Sequence, residues 1–169
     1  MIIKQKVVEA LNMQLISEFS ASSQYTAIAV YFDEKALPEL SNYFLNQSEE
    51  ERMHAMKIIH FMLDAGAKPI IPALPEVMND FDSAEKAVEL AFNQELKVTD
   101  EINNLVALSL EEGDHTTNQF LQWFVTEQVE EVSTIGQLLQ TIKHAGNNLL
   151  LVEDYIRRNP QHAGADGGA

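Results

Sequence analysis

The chain has 169 residues, 46% of them apolar, with 7 Gly, 5 Pro and no Cys. That is enough apolar material for one domain with a sizeable core, and the sparse Gly and Pro suit helices. The formal net charge of −15 argues against a nucleic-acid partner, which demands a Lys/Arg footprint, and suits a protein that handles cations, although acidity also serves solubility.

No apolar run approaches the ~20 residues of a membrane span. The start MIIKQKVVEALN lacks the basic, apolar and small-residue layout of a signal peptide. A cytoplasmic address with no membrane partner is expected.

Helical periodicity runs almost throughout. Residues 4–33 place Leu11, Leu15, Glu18, Ser22, Tyr25, Ala29 and Phe32 on one stripe. Residues 37–65 do the same with Leu40, Phe44, Gln47, Glu51, His54, Ile58 and Phe61. Residues 83–112 carry Val88, Ala91, Glu95, Val98, Ile102, Leu105 and Leu108, and residues 116–145 carry Thr117, Leu121, Phe124, Gln128, Glu131, Ile135, Leu138 and Ile142. Such stripes are the inward faces of bundle helices. Asp33 to Pro38 separates the first two helices. Gly66 closes the second, Asp82 or Ser83 caps the third, and Gly113-Asp114 separates the third from the fourth. Gly146 ends the fourth, Asn147 is placed to cap a short fifth helix over 148–158, and 159–169 reads as a flexible tail.

The segment from Ala67 to Phe81 carries Pro69, Pro72 and Pro75 and is extended. A helix of about 30 residues is ~45 Å long, and fifteen extended residues reach at most ~50 Å. The segment therefore just spans the bundle, which makes helices two and three parallel. The expected fold is all-α: a four-helix bundle with one long crossover and a short fifth helix, over residues 1–158.

Each stripe has a polar interruption near its middle. These are Glu18, then Glu51 with His54, then Glu95, then Gln128 with Glu131. A buried carboxylate is costly unless paired or bound to a cation. In the crossover topology all four interruptions fall at one height. Oxygen-rich, nitrogen-poor, sulfur-free donors suit Fe(II), Mn(II) or, less well, Zn(II), and this set is large enough for two ions. Glu51 and His54 project together because i and i+3 are helix neighbours.

A second acidic set, Glu50, Glu127 and Glu130, lies one residue off the first and forms either a looser third site or solvated charge. Tyr25 and Trp123 face inward or nearly so, either as packing or as redox-active rings. His60, His115 and His144 read as ordinary surface residues.

The motifs QLISEFSASSQY, QSEEERMHAM, FNQE and FLQWFVTEQVEE, with AIAVYFDEKALPEL between the first two, resemble those of bacterial non-haem ferritins, actinobacterial ones above all. The resemblance spans residues ~4 to ~158. It implies one iron held by Glu18, Glu51 and His54, and a second by Glu51, Glu95 and Glu131, with Gln128 close to bound oxygen. Glu50, Glu127, Glu130 and Glu131 match the third site of some members, and Tyr25 matches the tyrosine beside the dinuclear centre. It further implies ferroxidase activity with O2 or H2O2, iron as the only cofactor, and a homo-oligomeric shell of 24 subunits. No haem is expected, because Arg52 stands where bacterioferritins carry the haem-ligating Met, and Gln128-x-x-Glu131 replaces their second Glu-x-x-His. The rival readings are a rubrerythrin-like di-iron oxidase or peroxidase without storage, a non-catalytic metal buffer, and a metal-free polar network.

Overall fold

The computed structural model describes residues 1–160 and contains, among them, five helices and no strand. They are α1 (Gln5–Glu34), α2 (Pro38–Asp64), α3 (Ala84–Glu111), α4 (His115–Ala145) and α5 (Leu150–Arg158). None of these helices is long and apolar enough to cross a membrane. Of the tail expected at 159–169, residues 161–169 lie outside the described residues.

The helix ends follow local chemistry. Ser83 caps α3, its hydroxyl accepting from the Lys86 amide at 3.1 Å, and Asp114 caps α4 by accepting from Thr117 N at 3.0 Å. The other Asp114 oxygen accepts from Lys4 N at 2.9 Å, so one buried carboxylate pins the start of α1 to the start of α4. Gly66 turns out of α2 at φ 74°, a left-handed angle that favours glycine, and its would-be Cβ would sit tightly, 3.2 Å from the Met1 backbone. Asn147 does not cap α5. Leu149 holds the N-cap position of that helix with no side-chain cap bond, because the chain first makes a tight turn through Asn148, whose carbonyl takes the Leu151 amide at 3.1 Å.

The crossover lies along α1. Ile2 N donates to Ala65 O at 2.9 Å, which seats the end of α2 beside the start of α1. Asn12 Oδ1 then accepts from Ile70 N at 2.7 Å. Gln24 pairs with Met78 in both directions, at 2.7 and 2.9 Å. Finally the Phe81 ring meets Tyr31 at 5.1 Å. The strap thus climbs the same way as α1, and α3 begins level with the start of α2. Helices α2 and α3 are parallel, as the three prolines and the length require.

Two apolar blocks form the core. One gathers Val7, Leu11, Leu15, Ile58, Met62, Val98, Ile102, Leu121 and Phe124. The other gathers Tyr25, Ile28, Phe32, Phe44, Val88, Ala91, Ile135 and Leu138. The polar residues of the four stripes fall between them.

Helix α5 packs across the top. The Glu153 carboxylate, 5% exposed, accepts from Leu40 N and Glu39 N, both at 2.9 Å. The first turn of α2 has Leu37 in the capping position with no side-chain acceptor. A residue from another helix therefore supplies the cap that α2's own sequence lacks.

Candidate metal centre

Four separate helices deliver the polar layer. Glu18 comes from α1, Glu51 and His54 from α2, Glu95 from α3, and Gln128 and Glu131 from α4. All are buried, with Glu18 and Glu95 fully enclosed. His54 Nδ1 lies 3.7 Å from Glu18 Oε2 and 3.5 Å from Glu51 Oε2. Its other nitrogen, Nε2, lies 3.9 Å from Glu127 Oε1. The imidazole therefore stands between two donor clusters: Glu18 with Glu51, and Glu127 with Glu131.

Partnering within the layer is uneven. Glu18 Oε2 and both Glu51 oxygens are buried with no hydrogen-bond donor. Anionic oxygens without donors in a dry core are strongly disfavoured unless protons or cations compensate them. Glu95 differs. Its Oε1 accepts a short hydrogen bond from the Tyr25 hydroxyl, and its Oε2 accepts from Gln128 Nε2 at 3.2 Å. Gln128 is itself held by Thr99 Oγ1 at 3.1 Å. The donor set fits divalent iron: many carboxylate oxygens, one imidazole, no sulfur.

Proton affinities report the crowding. Burial, then the Glu95 charge, raises Glu51 well above the ordinary carboxylate range. Burial, then Glu95 and Glu50, does the same for Glu131. Burial alone would pull His54 down, but the carboxylates of Glu18 and Glu51 beside its Nδ1 raise it well above 6.5. Burial pushes Tyr25 up, and Glu95 and Glu51 push it further. Glu50 is raised from 4.5 to about 7, first by burial; His54 opposes the rise, while Glu127 and Glu130 add to it. Burial also raises Glu127. The charge of Glu130 adds to the rise of both Glu50 and Glu127.

These shifts fix a pH dependence. The folded chain holds protons on Glu50, Glu51, Glu131 and His54 that the unfolded chain gives up at lower pH. For Glu50 the resulting stability is full below 4.5 and lost as pH rises through about 7; raised His54 acts in the same direction. Chelator-treated protein should therefore melt at progressively lower temperature between about pH 5 and pH 8, and added divalent ion should remove that slope. A melting temperature that rises over this range would contradict the clustering.

Trp123 is not inward-facing. It is 38% exposed on the flank of α4, with Lys57 Nζ 4.1 Å above its ring and its ring centroid 5.5 Å from that of His54 in an edge-on arrangement. Its place on α4, one position before the buried Phe124, turns it out of the core. Together with Phe124 at 5.9 Å it walls the imidazole. His60, His115 and His144 are exposed.

Three polar residues near the layer escaped the sequence reading. Gln14 donates to Glu18 Oε1 at 2.8 Å, and Thr99 steadies Gln128. Tyr43 is buried with its hydroxyl unpartnered and is raised by burial, then by Glu131 and Glu95. Each stands one or two helical turns from a central acid: Gln14 four before Glu18, Thr99 four after Glu95, Tyr43 eight before Glu51. Same-face spacing was the available signal.

Comparison with known proteins agrees with this architecture. Residues 8–145 match the family model described as a ferritin-like domain. The chain is 44% identical over 153 residues to Ferritin BfrB of Mycolicibacterium smegmatis, covering 90% of this chain and 84% of that protein. It is 32% identical to a bacterial non-heme ferritin of Staphylococcus aureus over 146 residues, 86% of this chain and 88% of that protein. Among solved structures, an open-pore ferritin from the archaeon Archaeoglobus fulgidus superimposes with a TM-score of 0.87 at 32% identity, covering 97% of this chain and 99% of that one. With its matched domain, its crossover bundle and its mid-bundle layer of acids around one histidine, the chain belongs to the ferritin family of iron-storage proteins, and its relatives include bacterial non-haem members.

Proposed function

We propose that this protein stores iron and is a ferroxidase: Fe(II) is oxidised in the polar layer and Fe(III) is laid down as mineral inside a homo-oligomeric shell of 24 subunits. The observation that carries the reading is the set of donor-free oxygens on Glu18 and Glu51 around His54 Nδ1. Residues 1–158 act as one di-iron domain. Glu18 and His54 would hold one Fe(II) and Glu95 and Glu131 the other, with Glu51, whose oxygens have no donor, as the ligand common to both. Two Fe(II) each give up one electron; dioxygen takes up the two electrons and two protons and leaves as hydrogen peroxide. The carboxylates neutralise the added positive charge in a medium that screens poorly.

Gln128, held by Thr99 and Glu95, would present its carboxamide toward the second Fe(II) and the oxidant. The Tyr25 hydroxyl keeps Glu95 turned toward α1 until an ion competes for that oxygen, and the ring is close enough to supply an electron. Glu50, Glu127 and Glu130 hold a third, looser cation on the flank. The reading includes no haem. Arg52 is exposed beside Glu51, and Met53, half exposed, is about 100° further round α2.

The decisive experiment measures particle mass and iron per chain after aerobic Fe(II) loading. A shell-sized particle that takes up far more iron than a dinuclear centre holds is the expected result. A small particle that oxidises Fe(II) and retains two ions per chain would point to an oxidase without storage. Uptake without oxygen consumption would point to a buffer.

A further inference from the structure

We infer that Gln14 is a positioning residue that decides which oxygen of Glu18 meets the first metal ion. The inference rests on the dinuclear reading above and adds to it a residue outside the ligand set.

Gln14 is 3% exposed and stands one turn before Glu18 on α1, so the two side chains share a face. Its Nε2 donates to Glu18 Oε1 at 2.8 Å. A carboxylate offers acceptors only, so the amide must present its NH2 group here. The other oxygen of Glu18, Oε2, has no donor and faces His54 Nδ1 at 3.7 Å. The two oxygens are thus divided. One is tied to the amide, and the other is free on the side of Glu51 and His54.

An unrestrained glutamate in such a layer can rotate, or clasp an ion with both oxygens. A buried amide on Oε1 opposes both, because either motion strands the donor in a dry core. Glu18 then reaches the ion through one oxygen in a fixed direction and leaves a coordination position free for water or oxidant. Gln14 also borders a cavity of about 390 Å³ between α1 and α3, lined further by Met13, Ser17, Lys97, Glu101 and Leu105. That space lets a leucine or methionine replace it without overpacking.

The test uses Co(II) as an oxygen-insensitive probe on the assembled, full-length protein, titrated anaerobically and followed by its visible d–d absorption. Gln14→Leu should weaken the first Co(II) by about tenfold, the range found when an outer partner of a ligand is lost. It should also change the position or intensity of the band, because Glu18 now binds differently. Gln14→Met, which fills more of the cavity, should behave alike and covers the case in which the leucine variant misfolds. Binding within twofold of the parent, or weaker binding with a superimposable band, would overturn the role of Gln14, since packing or charge alone would then suffice. A parent protein with no Co(II) band, or a band that Glu51→Ala leaves intact, would overturn the centre itself.

Discussion

Glu51→Ala is expected to slow Fe(II) oxidation more than about 100-fold, beyond the 10–100-fold typical of losing a group that merely supports a ligand. The size of the effect follows from the bridging role proposed for Glu51. Both of its oxygens are buried and without donors, and Oε2 lies 3.5 Å from His54 Nδ1. On that proposal, removing it would take one ligand from each ion together with the group between them. The fold should survive, because the substitution removes a group whose ionised form the metal-free core resists. Stopped-flow absorbance after mixing with Fe(II) in aerated buffer measures the rate, and light scattering checks the particle. Parent-like oxidation in an intact particle would mean that the ions bind elsewhere.

The second large effect concerns the distant end of the bundle. Glu153→Ala should cost about 3 kcal/mol, from two charge-assisted hydrogen bonds and the two amides left behind. For a chain of this length that lowers the melting temperature by about 6–12 °C. Glu153→Gln, which keeps one acceptor oxygen, should fall between. The neighbouring Arg157–Glu39 pair, at 3.2 Å, is largely exposed, and Arg157→Ala should change little. Calorimetry of the three variants separates capping from general charge. Equal melting temperatures for Glu153→Ala and the parent would show that α2 finds its cap elsewhere.

Much of this was legible in the chain because it rests on period and cost. Stripes at three- and four-residue spacing drew the helices. Three prolines in a segment of matching length drew the crossover. Acids inside apolar stripes drew the layer, since an ionisable group in a core is too costly to be casual. What escaped was tertiary. Glu153 reads as an ordinary acid in the first turn of α5, and nothing local says that it serves α2, 114 residues away. Asn147 looked like a cap because asparagine usually is one, yet the turn through Asn148 bypasses it. Trp123 was one helical step from the core, within the error of any stripe. Gln14, Thr99 and Tyr43 stand beside the apolar stripe residues Leu15, Val98 and Phe44, and none carries a charge to mark it. The anchoring of the strap by Asn12 and Gln24 needed the fold before it meant anything.

The strap also explains how the height of Glu95 tolerates variation. Asn12 and Gln24 lie twelve residues apart on α1, about 18 Å, whereas Ile70 and Met78 are joined by chain that reaches roughly 26–29 Å when fully drawn out. The surplus is slack. Gaining or losing one residue between those two anchors leaves α3 starting where it did. The same change between Ala84 and Glu95 swings the glutamate about 100° away from Glu18. Length polymorphism among relatives should therefore gather in the strap and be absent from the first three turns of α3.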